Sequence, residues 1–312
     1  MNEITHSAPG KKIIMVGSLP PPYHGSNVYF QGLLNSELKE RYELHHVDIS
    51  DHRGLENLSR LDPTNVFRAL KGIADLRKTA TRISPDIVYI PVASNFLPFL
   101  RDGLLIITAA RYSDAKIVIH LHEGSYFRDE FYAKSGKAVR KFIEKALSHV
   151  DTAIVYSPNL RRVFEGLVEN VVSFFNGAQP CKAPPETYER QGVNVLFASN
   201  LFESKGILTF LKSAAFIGRE HPQAVFKVAG GWGADKEFVK SESEKIMTEG
   251  GITGRVKFLG TLGSEDLGKE FDVSDVFIFP TKYPYEGCPM ILIEAMNHAV
   301  PSVTRLGCVA IP

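Results

Sequence analysis

The sequence contains few cysteines and little net charge. Its 312 residues include 3 cysteines, Cys181, Cys288 and Cys308, which lie far apart and lack CxxC or Cys/His metal spacing. Scattered cysteines are typical of a reducing compartment, so we predict a cytoplasmic protein without a metal site. A formal net charge of +1 gives no general electrostatic attraction to nucleic acid, so we expect no nucleic-acid partner.

The sequence also lacks a long apolar run and a dinucleotide-binding fingerprint. The N-terminal stretch MNEITHSAPGKK has no apolar core and predicts no signal peptide. The most apolar stretch, Phe96 to Ala110, is interrupted by Arg101 and Asp102 and is shorter than a membrane span. Neither half contains the GxGxxG fingerprint with its acidic residue, so an oxidoreductase is the least favoured enzyme class.

Strand-like and helix-like segments alternate along the whole chain. This order is typical of βαβ units with parallel sheets. The proline-rich, polar stretch around residues 179–192 predicts a linker, with one Rossmann-like domain at residues 1–178 and a second at residues 193–312. We therefore predict an α/β protein of two Rossmann-like domains.

The most informative stretch runs from Thr281 to Val300. The apolar run Val276 to Phe279 predicts a buried strand, and Pro289 suits the first turn of the helix that follows. That helix, Met290 to Ala299, is apolar on nearly every face and is expected to be buried all round. Its one formal charge, Glu294, would cost several kcal/mol if buried without a partner.

That partner could come from the protein or from a ligand, and two features favour a ligand. Free N–H groups in the loop and first helical turn form an anion site at the carboxyl edge of a parallel sheet. Glu294 could then accept hydrogen bonds from both hydroxyls of a ribose, and Glu286 could reach a sugar beyond the phosphates. The backbone predicted to hold the phosphates belongs to Gly287, Cys288, Pro289 and Met290.

A glutamate, seven residues and a second glutamate, set in PYEGCPMILIEAMNHAVPSV, resemble the nucleotide-sugar signature of family-4 retaining glycosyltransferases of the GT-B fold. The resemblance covers Lys12 to Pro312. It implies two Rossmann-like domains facing a central cleft and transfer of a sugar from a nucleoside-diphosphate sugar, with retention of anomeric configuration. The implied acceptor is a carbohydrate or a lipid-linked saccharide, as in cell-surface polysaccharide or lipopolysaccharide synthesis. The nucleotide sugar is a co-substrate, and no cofactor or metal is implied.

His122 follows the strand predicted at Lys116 to Leu121, at the edge where open sheets bind ligands. A histidine there is about as often structural as catalytic. The resemblance places His122 beside the donor sugar. His120 shares its sheet face and is the competing candidate, and Glu123 could orient either ring.

Lys205 and Asn200 are the predicted diphosphate contacts. A helix N-terminus disfavours a cation, so Lys205 is better explained by an anion such as a diphosphate, with solvent exposure as the alternative. The resemblance implies an arginine and a lysine around the donor diphosphate, but this chain has Asn200 where the arginine is usual. That difference removes one positive charge from the predicted site.

Three further positions are predicted to lie near the donor. Gly233, in GGWG, permits close approach to a ligand, although a plain turn is equally possible. The resemblance turns the backbone at Leu262 towards the nucleotide base. Gly25 precedes a helix with Ser26 as its expected N-cap, and it favours either approach of a phosphate or acceptor sugar or a tight turn.

The helix Ala133 to Leu147 combines an apolar stripe with many basic residues. An ordinary solvated amphipathic helix explains this pattern. The sharper hypothesis is a patch that contacts an anionic membrane, which would place the protein at the inner face of the membrane.

The end of the chain departs from the resembled family, whose members continue beyond Pro312 with another strand and several helices. The expectation is a second domain that is incomplete, with an unfilled sheet edge. Two other functions stay open, namely a nucleotide-sugar epimerase and a non-catalytic nucleotide-sugar-binding remnant. Free epimerised sugar nucleotide, or donor binding without turnover, would distinguish them from a transferase.

Overall fold

The computed structural model describes residues 10–53, 62–177 and 192–305. The described chain divides into two compact units, the first ending at Phe175 and the second beginning at Asn176. The predicted linker at residues 179–192 lies outside the described residues except for Gly192. The predicted domain boundaries therefore stay predictions.

The first unit is built on a six-stranded parallel sheet with the order β2-β1-β3-β4-β5-β6. Its central strands are buried because they are nearly continuous apolar runs, the pattern of a sheet covered on both faces. The strands are β1 (Lys12–Gly17), β2 (Glu43–Asp48), β3 (Ile87–Val92), β4 (Lys116–Leu121), β5 (Thr152–Val155) and β6 (Val171–Ser173).

Helices connect these strands. They are α1 (Gly25–Asn35), α2 (Leu38–Arg41), α3 (Pro63–Ile83), α4 (Phe96–Tyr112) and α5 (Lys137–Leu147), with a π-helix at Phe127–Tyr132 and a 3₁₀ helix at Pro158–Phe164. Pro63 begins α3, where its missing N–H costs nothing, and the Asp62 carboxylate accepts a hydrogen bond from the Asn65 N–H at 2.9 Å.

The prediction that Ser26 caps α1 is wrong. His24 is the N-cap residue, and its backbone N–H donates to the Asn27 side chain at 3.0 Å. Asn27 is held in turn because its amide donates to the Pro22 carbonyl at 2.7 Å. The buried asparagine thus satisfies the N–H of the N-cap residue itself, a different group from the first-turn N–H that a capping serine accepts.

The second unit contains a five-stranded parallel sheet with the order β11-β10-β7-β8-β9. Its strands are β7 (Asn194–Ala198), β8 (Val225–Ala229), β9 (Val256–Gly260), β10 (Val276–Phe279) and β11 (Ser302–Thr304). Its helices are α6 (Ile207–Glu220), α7 (Lys236–Glu249), α8 (Ser264–Asp272) and α9 (Met290–Asn297), with short 3₁₀ turns at Glu203–Lys205 and Thr253–Arg255. The prediction of two Rossmann-like α/β domains is confirmed.

The helix α9 is not buried all round, as its composition predicted. Leu292 and Ala295 are buried in the core formed with Phe271 and Phe277, but Met296 is 63% exposed. An apolar composition shows that a helix can be buried, but each of its faces is buried only where another part of the chain packs against it. No described element covers the side that carries Met296.

The helix α5 buries its apolar side within the first unit, as an ordinary amphipathic helix does. Ile143, Ala146 and Leu147 are buried, and the Phe142 ring lies against Gly103. The apolar stripe is therefore used within the first unit, and the bases of α5 lie on its outer face. Within the described residues, no helix combines the length and the hydrophobicity that crossing a bilayer requires.

Candidate functional site

The candidate site in the second unit lies where β7 and β10 end. These strands pair in parallel, with Val276 opposite Val195 and Phe277 opposite Leu196, so their carboxyl ends share one edge. The loops that follow pack closely, because the Lys282 N–H donates to the Ser204 carbonyl at 2.7 Å. This edge is where open parallel sheets bind ligands.

Gly206 makes that close packing possible. Its φ of 91° lies in the left-handed region, and a Cβ built on it would lie 2.4 Å from the carbonyl oxygen of Pro280. Glycine alone fits both requirements. It is also the N-cap residue of α6, so Lys205 directly precedes the cap.

Lys205 and Glu286 form an ion pair in this edge. The Lys205 ammonium contacts the Glu286 carboxylate and lies 4.0 Å from the centre of the Tyr283 ring. The side chains are only 17% and 10% exposed, so solvent exposure does not explain Lys205. The Thr281 hydroxyl donates to the same carboxylate at 3.2 Å. The predicted diphosphate lysine and the predicted sugar-binding glutamate are thus adjacent.

Glu294 lies one turn into α9 and is partly buried. Burial raises the pKa of its carboxyl, and the nearby His298 opposes that rise. The Glu294 side chain has no hydrogen-bond or ion-pair partner among the described residues. His298 is itself engaged, because its ring Nδ1 lies 2.7 Å from the Asp272 carboxylate and the ring stacks on Phe271.

The loop Gly287–Met290 connects Glu286 to α9. Gly287 and Pro289 are buried, and Pro289 is the N-cap residue of α9 rather than part of its first turn. The Asn176 side-chain amide donates to the Cys288 carbonyl at 2.9 Å. Burial raises the pKa of the Cys288 thiol, and a hydrogen bond from the Asn176 backbone opposes that rise.

Three further residues that were predicted to contact the donor make contacts with other residues of the chain. A Cβ on Gly233 would lie 2.1 Å from the Phe202 ring, so contact within the chain already requires glycine there. The Asn200 carbonyl accepts a hydrogen bond from the Phe202 N–H at 2.9 Å. Leu262 packs against the core cluster that contains Leu292.

Gly25 is different from Gly233. It is exposed at the start of α1, and a Cβ built on it would have nothing within 4 Å. Its backbone is not in the left-handed region, so neither strain nor crowding within the described chain requires glycine at this position.

Histidines and tyrosines cluster at the end of β4 in the first unit. His122 follows the strand, as predicted, and its ring Nδ1 is hydrogen-bonded to the Tyr156 hydroxyl. The His122 ring stacks on His120, with 4.1 Å between centroids. His120 is fully buried, with the Tyr89 hydroxyl 2.8 Å from its Nδ1. The Nε2 atoms of both rings are buried without a partner among the described residues.

Burial keeps these rings neutral at pH 7. It lowers the pKa of His120 to about 3, and it lowers the pKa of His24 to about 4. The pKa of His122 is well below its ordinary value because of burial, with smaller contributions from His120 and His24. A neutral imidazole has one donor and one acceptor nitrogen, so a tyrosine on Nδ1 leaves Nε2 for another group.

The expectation that Glu123 orients a histidine is wrong. The rings are held by the tyrosines at positions 89 and 156, while burial raises the pKa of Glu123 to about 7 against smaller lowering effects of Ser94. The Glu123 Oε2 atom is buried without a partner among the described residues. Adjacency in sequence did not give contact, because consecutive residues at a strand end point to opposite sides.

Sequence reasoning missed several groups that hold the candidate residues in place. They are His24, Tyr89, Tyr156, Asn176, Thr281 and Tyr283. The only signal was position, because Thr281 and Tyr283 directly follow β10 and Asn176-Gly177 interrupts the strand pattern. Within the described residues, no three His, Cys, Asp or Glu side chains are grouped as potential metal ligands.

Most of the second unit matches a known protein-family model. Residues 192–310 match the family model described as Glycosyl transferases group 1. This match covers β7 to β11 and therefore all the candidate donor residues except Gly25. No curated protein matches the chain.

Solved structures match both units. Sucrose-phosphate synthase from Thermosynechococcus elongatus is 15% identical, with a TM-score of 0.66 over 94% of this chain and 81% of that chain. Anabaena HepE in complex with UDP and glucose is 17% identical, with a TM-score of 0.63 over 94% and 80%. An E. coli trehalose-6-phosphate protein bound with UDP-2-fluoro glucose is 14% identical, with a TM-score of 0.66 over 94% and 83%. At these identities the similarity establishes the fold, which is the two-domain GT-B fold.

Proposed function

We propose that the protein transfers a sugar from a nucleoside-diphosphate sugar to a carbohydrate or lipid-linked saccharide, with retention of anomeric configuration. The observation that carries the proposal is Glu294, a partly buried carboxylate at a parallel-sheet edge that has no hydrogen-bond or ion-pair partner among the described residues. The family match over residues 192–310 supports a glycosyltransferase. Polysaccharide or lipopolysaccharide synthesis is the proposed setting.

The ribose of the donor is assigned to Glu294. An ionised carboxylate can accept hydrogen bonds from both hydroxyls of a diol, and these bonds favour the ionised form. They would offset the burial that raises the pKa of the free residue. Donor binding and ionisation of Glu294 are therefore coupled in this proposal.

The diphosphate is assigned to Lys205 and to backbone N–H groups of the loop Gly287–Met290. Departure of the diphosphate leaves an oxocarbenium-like sugar, so the developing phosphate charge must be stabilised. Lys205 is already fixed beside the loop through Glu286 and Tyr283. Asn200 contributes at most a neutral hydrogen bond where an arginine would supply charge.

The sugar hydroxyls are assigned to Glu286. Its carboxylate contacts both Lys205 and Thr281 through one oxygen, Oε1. Its second oxygen can accept a hydrogen bond from a sugar without release of the lysine. Glu286 would thus link recognition of the sugar to placement of the diphosphate cation.

His122 is assigned to the transfer step. It is neutral, its Nδ1 is occupied by Tyr156, and its Nε2 has no partner among the described residues. We assign no protein nucleophile. The acceptor hydroxyl is proposed to enter on the leaving-group face, where a donor phosphate oxygen takes its proton.

Donor binding and turnover of Glu294→Ala and Lys205→Ala test the proposal. Both should bind the donor far more weakly, while the exposed residues changed in Glu265→Ala and Lys212→Ala serve as matched controls. Calorimetric titration with a panel of nucleotide sugars would measure affinity and identify the donor. Near-normal affinity in both site variants would rule the proposal out.

Asn200 favours a second candidate function, a nucleotide-sugar-binding protein without catalysis. The missing arginine charge would weaken stabilisation of the leaving group more than binding of the donor. This candidate predicts donor binding without turnover over a panel of saccharide acceptors. An epimerase would instead release epimerised sugar nucleotide when no acceptor is present.

A further inference from the structure

An apolar patch is exposed on the first two turns of α3. Val66, Phe67 and Leu70 are 47%, 67% and 59% exposed. The opposite face of the same helix is buried through Gly72, Leu76 and Ala80. The helix therefore already has its core contact, and the exposed apolar side chains form a second, separate face.

Basic side chains extend that face along the rest of α3. The exposed residues of the helix lie within an arc of about 160°, at about 100° per residue. Those after the apolar turns are Lys71, Ala74, Arg77, Lys78, Thr81 and Arg82. The one acidic residue of α3, Asp75, is partly buried and does not belong to the exposed arc.

Two arginines of α3, one partly buried and one exposed, are engaged within the chain. Arg68 is paired with the Asp51 carboxylate and donates to the Ser50 carbonyl at 2.8 Å. The Arg77 guanidinium lies over the Tyr112 ring at 4.6 Å. Lys71 and Lys78 have no ion-pair partner among the described residues, so they are the charges most available to an external partner.

We propose that this face of α3, defined by Val66, Phe67, Leu70, Lys71 and Lys78, docks on an anionic lipid surface. Apolar side chains on one part of a helix can enter the acyl boundary while flanking bases contact anionic headgroups. Charge complementarity favours lipid phosphates over a neutral or basic partner. The proposal does not depend on the proposed transferase activity.

The apolar area disfavours a second copy of the chain as the occupant. A stable dimer buries about 800 Å² on each partner. Three side chains that are half to two-thirds exposed supply much less than that area. Self-association through the same arc would also bring like-charged bases near each other.

Vesicle sedimentation of the full chain tests the proposal. The protein should bind phosphatidylcholine vesicles that contain phosphatidylglycerol, bind phosphatidylcholine alone weakly, and be released by high salt. Phe67→Ser with Leu70→Ser should reduce binding to the anionic vesicles at low salt and remove the weak binding to phosphatidylcholine alone. Phe216→Ser is the matched control, because Phe216 lies in the second unit and is 68% exposed.

The charges are tested separately from the apolar side chains. Lys71→Ala with Lys78→Ala should lower partitioning into anionic vesicles about thirtyfold, the effect typical of two bases at a membrane surface. Lys137→Ala with Lys141→Ala removes equal charge from α5, which lacks an exposed apolar patch, and should lower it less. A Phe67→Trp variant should show a blue-shifted emission when anionic vesicles are added.

Three results would overturn the proposal. The first is absence of binding to anionic vesicles by the unaltered chain, and the second is equal binding by the Phe67/Leu70 variant. The third is a concentration-dependent dimer in ultracentrifugation that the same variant abolishes. Circular dichroism of each variant ensures that lost binding reflects the surface and not unfolding.

Discussion

The side-chain amide of Asn176 is hydrogen-bonded to the carbonyl oxygen of Cys288, 112 residues later in the chain. Both residues belong to the second unit. The bond anchors the loop whose backbone N–H groups are proposed to bind the diphosphate. In the proposed function, Asn176 would act on donor binding through this loop without contacting the donor itself.

Asn176→Ala is expected to weaken donor binding and to lower stability. Loss of a hydrogen bond to this partly buried carbonyl costs about 1 kcal/mol. Calorimetric donor titration and urea unfolding would measure the two effects, with Asn170→Ala, at an exposed hydrogen bond to Thr152, as the control. Unchanged donor affinity with lowered stability would limit Asn176 to a structural role.

The Lys205–Glu286 pair should separate stability from donor recognition. Lys205→Met alone leaves a carboxylate that is 10% exposed without its cation and should destabilise the chain by a few kcal/mol. The double variant Lys205→Met, Glu286→Gln should recover most of that stability but not donor affinity. A double-mutant cycle of thermal unfolding and donor titration checks both expectations. Recovery of donor affinity in the double variant would contradict the diphosphate assignment.

Donor affinity is expected to rise with pH through the titration of Glu294. Burial raises the pKa of this carboxyl above its ordinary value of 4.5, so at low pH the protonated form must lose its proton before it can accept both ribose hydrogen bonds. Affinity should therefore increase as the pH passes this raised pKa and then level off. Glu294→Gln should remove that rise and weaken binding about tenfold to a hundredfold. A pH series of donor titrations with both proteins decides the point.

Glu123 should lower the stability of the first unit as the pH rises. Its pKa is about 7 in the folded protein and 4.5 ordinarily, so between these values the unfolded carboxyl ionises while the folded one stays protonated. Stability is fully present below pH 4.5 and decreases up to about pH 7, by on the order of 3 kcal/mol. Glu123→Gln should remove this decrease in urea unfolding measured from acid to neutral pH. A variant with an unchanged pH slope would show that the carboxyl ionises freely in the folded state.

The buried histidines should lower the stability of the folded chain as the pH falls, which is the opposite of the effect of Glu123. Their ordinary pKa of 6.5 falls to about 4 for His24 and to about 3 for His120 in the folded protein. The unfolded chain therefore binds protons first as the pH falls below 6.5, and stability declines towards pH 4. His24→Gln should reduce that decline in urea unfolding measured from neutral pH down to about pH 4.

The sheets were predictable because their strands are short apolar runs between helices with clear periodicity. β10 illustrates this, since Val276 to Phe279 is apolar throughout and is buried as expected. The position of His122 just after β4 also followed from sequence, because the end of an apolar run marks the ligand-binding edge of a parallel sheet. These are local patterns, and local physics determines them.

The contacts that hold the site were not predictable from such patterns. The Lys205–Glu286 pair joins residues 81 positions apart, and its existence depends on which strands are neighbours in the sheet. The exposure of Met296 likewise depends on whether another element covers α9. Composition shows that a side chain is apolar or charged, but partners are set by tertiary arrangement.

Gly206 packs closely against Pro280. The turn Glu203–Lys205 and the loop that carries Glu286 are therefore held together and cannot move independently. Any longer side chain at position 206 would push the two segments apart and separate a cation from its counterion. If this edge binds the donor as proposed, a change in sugar selectivity is expected to require changes in both segments. Variants with new donor preferences are expected to arise from paired changes in both segments, or from residues that leave this junction intact.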